Sequence, residues 1–403
     1  MNILLAVSGS IAAYKTCDLT RALVKQGHQV RVVLTQGALE FVRPELFRYL
    51  GADAVYQPQD DFRSPATGVP HVDLGKWADV LAVVPLSANT LAKLATGQCQ
   101  DFLGSLFLAW RRNKPVLLFP AMNTQMWDHS FTQEHVARLN KLPFAKVVDP
   151  TAGLLACGDV GAGKLMEPEA IAELIECYNP LVHLPKRVLI TTGATVAPLD
   201  PVRYMTNPSS GKTGVAIAKA YLARGAQVEL LLGHGFQGSL AFLRAHPNCQ
   251  LISTPTTREM RAEALRRAPQ CHTVIAAAAV ADFEFQTADG KLKKDQLTAL
   301  PVVKAVDILA ELLQQKTAEQ KFVSFAAETA TTEAVFREKF TRKPVDLMIG
   351  NRVHSGFSRE QALEGFATNE GTYWFVTQAS TEGPEQLSKA QLAERLVQWD
   401  LTP

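Results

Sequence analysis

Two stretches of the sequence combine glycines with a lysine in a way that suggests phosphate binding. In "ACGDVGAGKL" (156–165) two glycines and Lys164 have the spacing of a P-loop, but Leu165 stands where that loop needs a Ser or Thr to contact Mg²⁺. In "TNPSSGKTG" (206–214) the Gly-Lys-Thr ending is present, but Thr206 replaces the first glycine. We therefore predict that neither stretch is a P-loop.

A third stretch, "SGSIAAYK", places Ser8, Gly9 and Ser10 between an apolar run and the start of a helical pattern. Free backbone N–H groups and the helix dipole favour an anion at such a position, and small side chains let a phosphate come close. The alternative is a tight turn in which Ser10 caps the helix. Ligands often bind at the carboxyl ends of parallel strands, and this stretch follows the first predicted strand. Phosphate binding and a capped turn therefore both stay open.

Polar side chains also follow two later apolar runs. Ser87, Asn89 and Thr90 come after "DVLAVVPL" and could cap a helix or line a cofactor pocket. Asn123, between two methionines in "FPAMNTQMW", can both donate and accept hydrogen bonds, although such a fragment is more often a structural loop. His71 precedes a short amphipathic segment, and by itself a lone histidine does not indicate catalysis.

The second half contains its own polar loops after apolar runs. Residues 207–214 offer backbone donors at a predicted helix start, and Asn207 is the side chain best placed there to contact a substrate; the alternative is an ordinary helix cap. Asp282 ends a run of small residues and is followed by Lys291, Lys293 and Lys294, the last of which lies outside the residues that the structure describes. A lysine cluster is usually a solvated surface, but beside an acidic residue at a strand end it could bind a triphosphate with Mg²⁺.

The elements that carry these residues alternate between strands and helices. The strands are continuous apolar runs, as expected for parallel strands buried on both faces, and Gly27 is a predicted helix C-cap. After an aperiodic, proline-containing stretch at 179–187, the pattern starts again with a predicted strand "VLITTGAT", an irregular stretch to Gly211 and a helix. Later predicted strands include "TVIAAAAVAD" and "KFVSFAAE". We predict two doubly wound, Rossmann-like α/β domains, residues 1–184 and 185–403.

Composition narrows the class of protein. The chain has 403 residues, with 47% hydrophobic and 20% charged, which is typical of a soluble globular protein of two or three domains. A net charge of +2 argues against a nucleic-acid partner, and no apolar run is long enough for a membrane span. The six cysteines include no CxxC pair, which indicates neither a zinc site nor a disulfide framework. We predict a cytoplasmic protein.

Four motifs carry a resemblance to a known family. "GSIAAYK", "HVDLGKWAD", "PAMNTQMW" and "ACGDVGAGKLMEP" resemble, in order and spacing, the flavin-dependent cysteine decarboxylases. The second half resembles the ligase that is often fused to them. Over nearly its whole length the chain is similar to the bifunctional phosphopantothenoylcysteine decarboxylase/phosphopantothenate–cysteine ligases of coenzyme A biosynthesis, with an N-terminal flavoprotein fold and a C-terminal ligase fold.

The resemblance implies FMN in the first half, where flavin oxidation of the substrate thiol provides an electron sink for decarboxylation. It implies His71 as base or orienting residue, Asn123 as a carboxylate contact and Cys157 as proton donor. A thiol with a reference pKa of about 8.5 is mostly protonated at neutral pH, although a buried, inert Cys157 is the alternative. The loop of Cys157, rich in glycine, is interpreted as a flap over the substrate. The implied FMN contacts are Ser8, Gly9, Ser10, Thr35, Ser87, Asn89 and Thr90.

For the second half the resemblance implies ligation of cysteine to 4′-phosphopantothenate. The substrate carboxylate attacks CTP to give an acyl-cytidylate, and the cysteine amine then attacks the acyl-cytidylate and displaces CMP. Asn207 would serve the first step and Lys291 the second, with Mg²⁺ entering with CTP and no protein ligand for the metal assigned. The implied nucleotide contacts are Ala276, Ala277, Ala278, Asp282, Lys291, Val306, Asp307, Ile308, Leu309, Phe325, Lys339 and Lys343.

The chain departs from the family pattern at two places. Ala194 stands where the family commonly has proline after the first ligase strand, and Val306 replaces a proline in a segment expected to contact the nucleotide. Val306 bears on the preference for CTP over ATP. Two alternatives remain: a chain in which only the decarboxylase half is active, and a flavin-binding regulatory protein. The resemblance also suggests a homo-oligomer, possibly a dodecamer.

Overall fold

The structure, a computed structural model, describes residues 1–61, 68–155, 158–236, 238–293, 299–300, 302–329, 332–353 and 368–402. These residues form two compact units. The first comprises Met1–His183 together with Leu240–His246, and the second comprises Leu184–Ser239 and Pro247–Pro403. The short segment 240–246 thus packs with the first unit although it lies in the second half of the sequence.

The first unit is built on a six-stranded parallel sheet and a separate β-hairpin. Its strands are β1 Asn2–Val7, β2 Gln29–Leu34, β3 Ala54–Tyr56, β4 Val80–Leu86, β5 Val116–Pro120, β6 Ala145–Val147, β7 Thr151–Leu154 and β8 Val160–Lys164. Its helices are α1 Lys15–Lys25, α2 Pro44–Tyr49, α3 Pro70–Trp77, α4 Ala88–Thr96, α5 Phe102–Leu108, α6 Thr124–Asp128, α7 Ser130–Asn140 and α8 Pro168–Cys177.

The six parallel strands lie in the order β3-β2-β1-β4-β5-β6, which is the order of a doubly wound sheet. Every residue of β4 is buried, because helices cover both faces of the sheet. The strand order reverses between β1 and β4, and ligands bind outside the carboxyl ends of the strands at such a point. The remaining strands, β7 and β8, pair as an antiparallel hairpin.

The second unit contains an eight-stranded sheet and two small hairpins. Its strands are β9 Arg187–Thr192, β10 Val196–Pro198, β11 Tyr204–Thr206, β12 Gln227–Leu232, β13 Cys249–Ser253, β14 Thr273–Ala276, β15 Phe283–Phe285, β16 Val302–Lys304, β17 Lys321–Glu328, β18 Leu347–Arg352, β19 Glu370–Val376 and β20 Thr381–Ser388. The helices of this half are α9 Lys212–Leu222, α10 Ala241–Ala245 (within the first unit), α11 Thr257–Arg267, α12 Ile308–Gln314, α13 Glu333–Arg342 and α14 Lys389–Leu401.

The eight strands lie in the order β13-β12-β9-β14-β17-β18-β19-β20. The first six strands are parallel, and their order along the sheet reverses between β9 and β14. The last two, β19 and β20, are antiparallel and extend the sheet at one edge. The predicted fold class, two doubly wound α/β domains, is confirmed. Because β19 runs antiparallel to β18, its first residues lie at the same edge of the sheet as the carboxyl ends of the parallel strands.

Two local predictions differ from the structure. The stretch from Val196 to Gly211, predicted to be irregular, contains the hairpin β10–β11. The run "TVIAAAAVAD", predicted as one strand, is a strand only to Ala276, because the chain beyond it follows the loop after β9: Ala277 N–H donates to the Thr191 carbonyl and Ala279 N–H to the Gly193 carbonyl. Gly27 follows the end of α1 with φ +84°, as a residue after a helix C-terminus should.

Candidate active sites in the two units

The buried hydroxyl of Ser8, just after β1, forms hydrogen bonds with the backbone at the end of β4. Ser8 is fully buried; its Oγ donates to the Pro85 carbonyl (2.7 Å) and accepts from the Ser87 N–H (2.8 Å). Ser10 caps a short 3-10 turn and donates to the Ala121 carbonyl just after β5 (3.3 Å). Predicted FMN contacts are thus brought together at the point where the strand order reverses, and the Ser8 hydroxyl is already engaged within the protein.

Two glycines bring the loops after β1 and β2 into direct contact. A Cβ on Gly9 would lie 3.0 Å from the backbone of Gly37, so a larger residue does not fit. Thr35 donates its N–H to the Val7 carbonyl (3.0 Å) and accepts from the Ala38 N–H through its hydroxyl (3.3 Å). The two glycines leave no side chain at this loop contact, which lets a phosphate group such as that of FMN come close to the backbone.

Ser87 and Thr90 act as a helix cap in the structure. The Ser87 Oγ accepts from the Thr90 N–H (3.3 Å) at the start of α4, and its distance to the Thr90 hydroxyl is 3.1 Å. Asn89 lies in the first turn of the same helix. The capping interpretation is confirmed for Ser87, and the role of Ser87, Asn89 and Thr90 in binding FMN stays a prediction.

Asn123 is held by its own helix and by the β7–β8 hairpin. Its Oδ1 accepts from the Gln125 N–H (2.8 Å), and its Nδ2 donates to an oxygen of Asp159 (3.0 Å). The Met122 N–H donates to the Gly163 carbonyl (3.0 Å), which fixes the hairpin against the loop of Asn123. Cys157 lies outside the described residues, between the two strands of this hairpin, and its role as proton donor stays a prediction.

An unsatisfied hydroxyl lies next to Asn123. The Thr124 Oγ1 is buried and has no hydrogen-bond partner among the residues that the structure describes. A Cβ on Gly161 of the hairpin would lie 2.5 Å from that oxygen, so the hairpin contacts it closely. A buried hydroxyl without a partner costs free energy, which is recovered when a ligand supplies one.

His71 is oriented by a carboxylate that the sequence analysis missed. Its Nδ1 lies 2.6 Å from the Oδ1 of Asp61, whose side chain is only 2% exposed. His71 occupies the first turn of α3, after Pro70 at the helix start. A carboxylate accepts only from a protonated Nδ1, so Asp61 determines which ring nitrogen carries the proton. No spacing rule in the sequence relates the two residues.

The stretch "ACGDVGAGKL" is not a P-loop. Its second half is the strand β8, whereas a P-loop leads from a strand into a helix. Lys164 pairs with Glu167 (3.1 Å), which also binds Lys15 (2.8 Å). These contacts, first the hydrogen bond from Lys15, lower the pKa of the Glu167 carboxyl. Lys164 therefore has a structural partner where a P-loop lysine would bind phosphate.

The second unit contains a cavity of about 910 Å³ at the carboxyl ends of β9, β14, β17 and β18. Most of the predicted ligase residues line it. These are Asn207, Ala276, Ala277, Ala278, Asp282, Val306, Asp307, Ile308, Leu309, Phe325, Lys339 and Lys343. The exception is Lys291, which is exposed and is not a lining residue. A cavity of this size at the point of strand reversal is large enough for a nucleotide.

Asn207 is fixed at one wall of this cavity. Its Nδ2 lies 3.3 Å from the carbonyl oxygens of both Ala279 and Val280, in the loop after β14. The neighbouring helix α9 begins after Gly211, which has the left-handed φ of +70° and provides no side-chain cap. Gly211 thus offers no side-chain cap at the start of α9, and a helix N-terminus at a cavity wall favours an anion.

Two of the predicted nucleotide ligands are paired with carboxylates. Lys339 forms an ion pair with Glu328, and Lys343 forms one with Asp307, which also caps α12. Burial acts to raise the pKa of Asp307, but the ammonium of Lys343 and the cap hydrogen bond bring it below its usual value. Among the described residues there is no group of three His, Cys, Asp or Glu side chains that could hold a metal ion.

The cavity also contains polar residues that sequence reasoning missed. The Ser324 hydroxyl on β17 is buried and has no partner among the described residues. Lys212 and Lys389 begin helices α9 and α14 and also line the cavity. A polar residue inside the apolar run "KFVSFAAE" was a signal for Ser324, whereas nothing in the sequence indicates that Lys389 is buried.

Comparison with known proteins identifies the family. Residues 1–178 match the family model "Flavoprotein", and residues 184–401 match "DNA/pantothenate metabolism flavoprotein C-terminal domain". The chain is 37% identical over 404 residues to the "Coenzyme A biosynthesis bifunctional protein CoaBC" of Vibrio cholerae, covering 98% of this chain and 96% of that protein. The chain belongs to the CoaBC family. The CoaBC protein of Bacillus subtilis is 39% identical over 360 residues, covering 87% and 86%.

A solved structure is similar to the first half of this CoaBC-family chain. It is a mutant "PPC decarboxylase" complexed with pantothenoylaminoethenethiol, 36% identical, covering 43% of this chain and 95% of the other, with a TM-score of 0.40. Membership of the CoaBC family confirms the predicted resemblance and the prediction of a bifunctional enzyme of coenzyme A biosynthesis, with a decarboxylase half and a ligase half. No helix of the described residues is both long and apolar enough to cross a membrane.

Proposed function

We propose that the second unit joins cysteine to 4′-phosphopantothenate with CTP and that the first unit decarboxylates the product with FMN. The observation that carries the ligase assignment is the cavity at the β9–β14 reversal, lined by Asn207, Asp282 and Phe325 together with the lysines 339 and 343. In the proposed reaction the carboxylate of phosphopantothenate attacks the α-phosphate of CTP and releases pyrophosphate. The cysteine amine then attacks the acyl-cytidylate and releases CMP.

The cavity residues have distinct tasks in this reaction. The start of α9, together with Lys339 and Lys343, offsets the negative charge of the triphosphate. Mg²⁺ enters with the nucleotide, bound mainly by phosphate oxygens, as is common for this ion. Asn207, fixed through its amide nitrogen, orients the acyl group. Lys291 acts in the second step and approaches from its exposed segment when substrate is bound.

In the first unit the flavin supplies the electron sink that decarboxylation requires. The Gly9–Gly37 contact and the N–H groups around Ser10 bind its phosphate. Asp61 keeps Nδ1 of His71 protonated, which leaves Nε2 free to accept a proton from the substrate. Asn123 binds the substrate carboxylate, and Cys157 returns a proton to the decarboxylated product.

The test supplies the full chain with 4′-phosphopantothenate, cysteine, CTP and Mg²⁺ and identifies the products by mass. We expect CMP, pyrophosphate, CO₂ and 4′-phosphopantetheine. Asn207→Ala should stop ligation but still decarboxylate added 4′-phosphopantothenoylcysteine, and Cys157→Ser should still ligate but not complete the decarboxylation. The two variants are matched controls for each other.

The same assay separates the alternatives. Equal turnover with ATP would overturn the assignment of CTP. Decarboxylation without ligation would show that only the first half is active, and bound flavin with neither reaction would favour a regulatory protein. A homo-oligomer and a cytoplasmic location stay predictions.

A further inference from the structure

Lys389 is a buried lysine in the wall of the ligase cavity. It is the first residue of α14, and only 8% of its surface is exposed. Lysine is almost never this buried unless its ammonium is paired. Lys389 lines the cavity, and neither the sequence motifs nor the proposed reaction assigns it a role.

A second lysine is held beside it through Asn369. The Asn369 carbonyl accepts from the Lys389 N–H (2.9 Å), and its Oδ1 accepts from Nζ of Lys212 (3.4 Å). Lys212 is the first residue of α9, the helix that starts at the cavity without a side-chain cap. Helices α9 and α14 pack against each other, and Tyr221 of α9 donates to Asp400 of α14 (2.6 Å). The two lysines thus lie at the neighbouring starts of two packed helices.

Lys389 has no counter-ion among the described residues: neither a hydrogen bond nor an ion pair of its Nζ is formed with them. Burial, and next the positive charge of Lys212, lower the pKa of Lys389 to about 8. A buried ammonium next to a second cation is unfavourable for folding unless an anion enters. A lysine kept only for structure would have an acceptor, whereas this one faces a cavity.

We propose that Lys389 binds a phosphoryl oxyanion in this cavity, together with Lys212 and the N–H groups at the start of α9. The inference rests on the proposed ligase function, which brings two such groups to the cavity. One is the pyrophosphate portion of the nucleoside triphosphate, and the other is the phosphate of 4′-phosphopantothenate. Both offer oxyanions that form charge-assisted hydrogen bonds with the ammonium of Lys389.

The experiment measures binding to the full chain by isothermal titration calorimetry, with inorganic pyrophosphate in one arm and 4′-phosphopantothenate in the other. Lys389→Met keeps the length of the side chain without its charge. We expect about ten- to a hundredfold weaker binding in one arm, since charge-assisted hydrogen bonds contribute about 1.5–3 kcal/mol. The arm that is affected identifies the source of the phosphoryl group. Lys389→Arg should restore most of the affinity.

The control is Lys141→Met, which removes an exposed lysine of the first unit and should change neither affinity. Thermal unfolding of Lys389→Met should occur no lower than that of the wild type, because a charge without a partner is removed. Unchanged binding in both arms overturns the proposal and leaves the ligase function intact. A wild-type chain that binds neither compound overturns both. If Lys389→Met does not fold, binding to Lys389→Arg is the test. Because arginine keeps the charge, binding that is tenfold weaker than that of the wild type in both arms overturns the proposal.

Discussion

Replacing Asp61 with Asn tests whether this buried carboxylate serves decarboxylation through His71. The substitution keeps the shape of the side chain and removes its charge at a contact of 2.6 Å. With the Asp61 side chain only 2% exposed, water cannot take its place at Nδ1. An Asn oxygen can still accept from Nδ1–H, but as a neutral acceptor it holds the protonated nitrogen less strongly.

The magnitude follows from the kind of hydrogen bond that is lost. A hydrogen bond to a charged group contributes about 1.5–3 kcal/mol and a neutral one about 0.5–1.5 kcal/mol. The difference of about 1–2 kcal/mol corresponds to roughly 5–30-fold in rate. We therefore expect kcat for decarboxylation of added 4′-phosphopantothenoylcysteine to fall by that factor in Asp61→Asn, with little change in KM.

Three measurements separate positioning from loss of structure. The same variant should keep its flavin absorbance and its CTP-dependent ligation, which serves as an internal control. In a His71→Ala background the Asp61→Asn change should cost less than about twofold, because effects of residues that act through each other are not additive. Independent, multiplicative effects of the two substitutions would refute the reasoning.

Three further predictions concern stability. Asp400 is only 2% exposed, pairs with Lys186 (2.7 Å) and accepts a hydrogen bond from Tyr221. Asp400→Ala should therefore lower the free energy of unfolding, measured by urea titration, by about 3–5 kcal/mol. A loss below about 1 kcal/mol would contradict this. Burial lowers the pKa of His246 to about 4, so the folded state keeps it neutral while the unfolded state protonates it. Stability should fall as pH drops from about 6.5 to 4, by about 3 kcal/mol, and His246→Gln should remove that part of the pH dependence in urea titrations. For Lys389, with its pKa lowered to about 8, the unfolding free energy should rise from pH 8 to 10.5. The free energy of unfolding of Lys389→Met should be higher than that of the wild type by up to about 3 kcal/mol at pH 7, and the two should be equal above about pH 10.5. Equal stability at about pH 7 would refute the cost of burying the ammonium.

Much of the fold could be predicted from local sequence patterns. Strands such as β4 and β17 are uninterrupted apolar or small-residue runs, and their bounds lie within one residue of the predicted segments. The strands β19 and β20 were not predicted. The edge strand β20 has mixed polarity and depends on the strand it pairs with, whereas β19, buried except at Glu370, has an apolar run that was overlooked. The hairpin β10–β11 was missed because its strands are three residues long.

The candidate sites were predictable to the extent that they lie at strand ends. Asn207 lies in the polar loop before α9, Asp282 ends a run of small residues, and Phe325 lies within β17; the structure brings all three to one cavity. Lys291 was assigned through the family motif, and the structure places it outside the cavity lining. Asp61 was not found, since its contact with His71 is a tertiary contact that no rule of sequence spacing predicts.

The sequence by itself determined the alternation of strands and helices, the rejection of both P-loop look-alikes and the loops in which most candidate site residues lie. These are local properties, because side-chain periodicity and the residues after a strand are set by near neighbours in the chain. Only the tertiary structure decided that Asp61 holds His71, that Asn369 brings Lys212 beside Lys389, and that Lys389 is buried. Burial and charge pairing depend on elements far apart in the sequence, so no window of residues contains them.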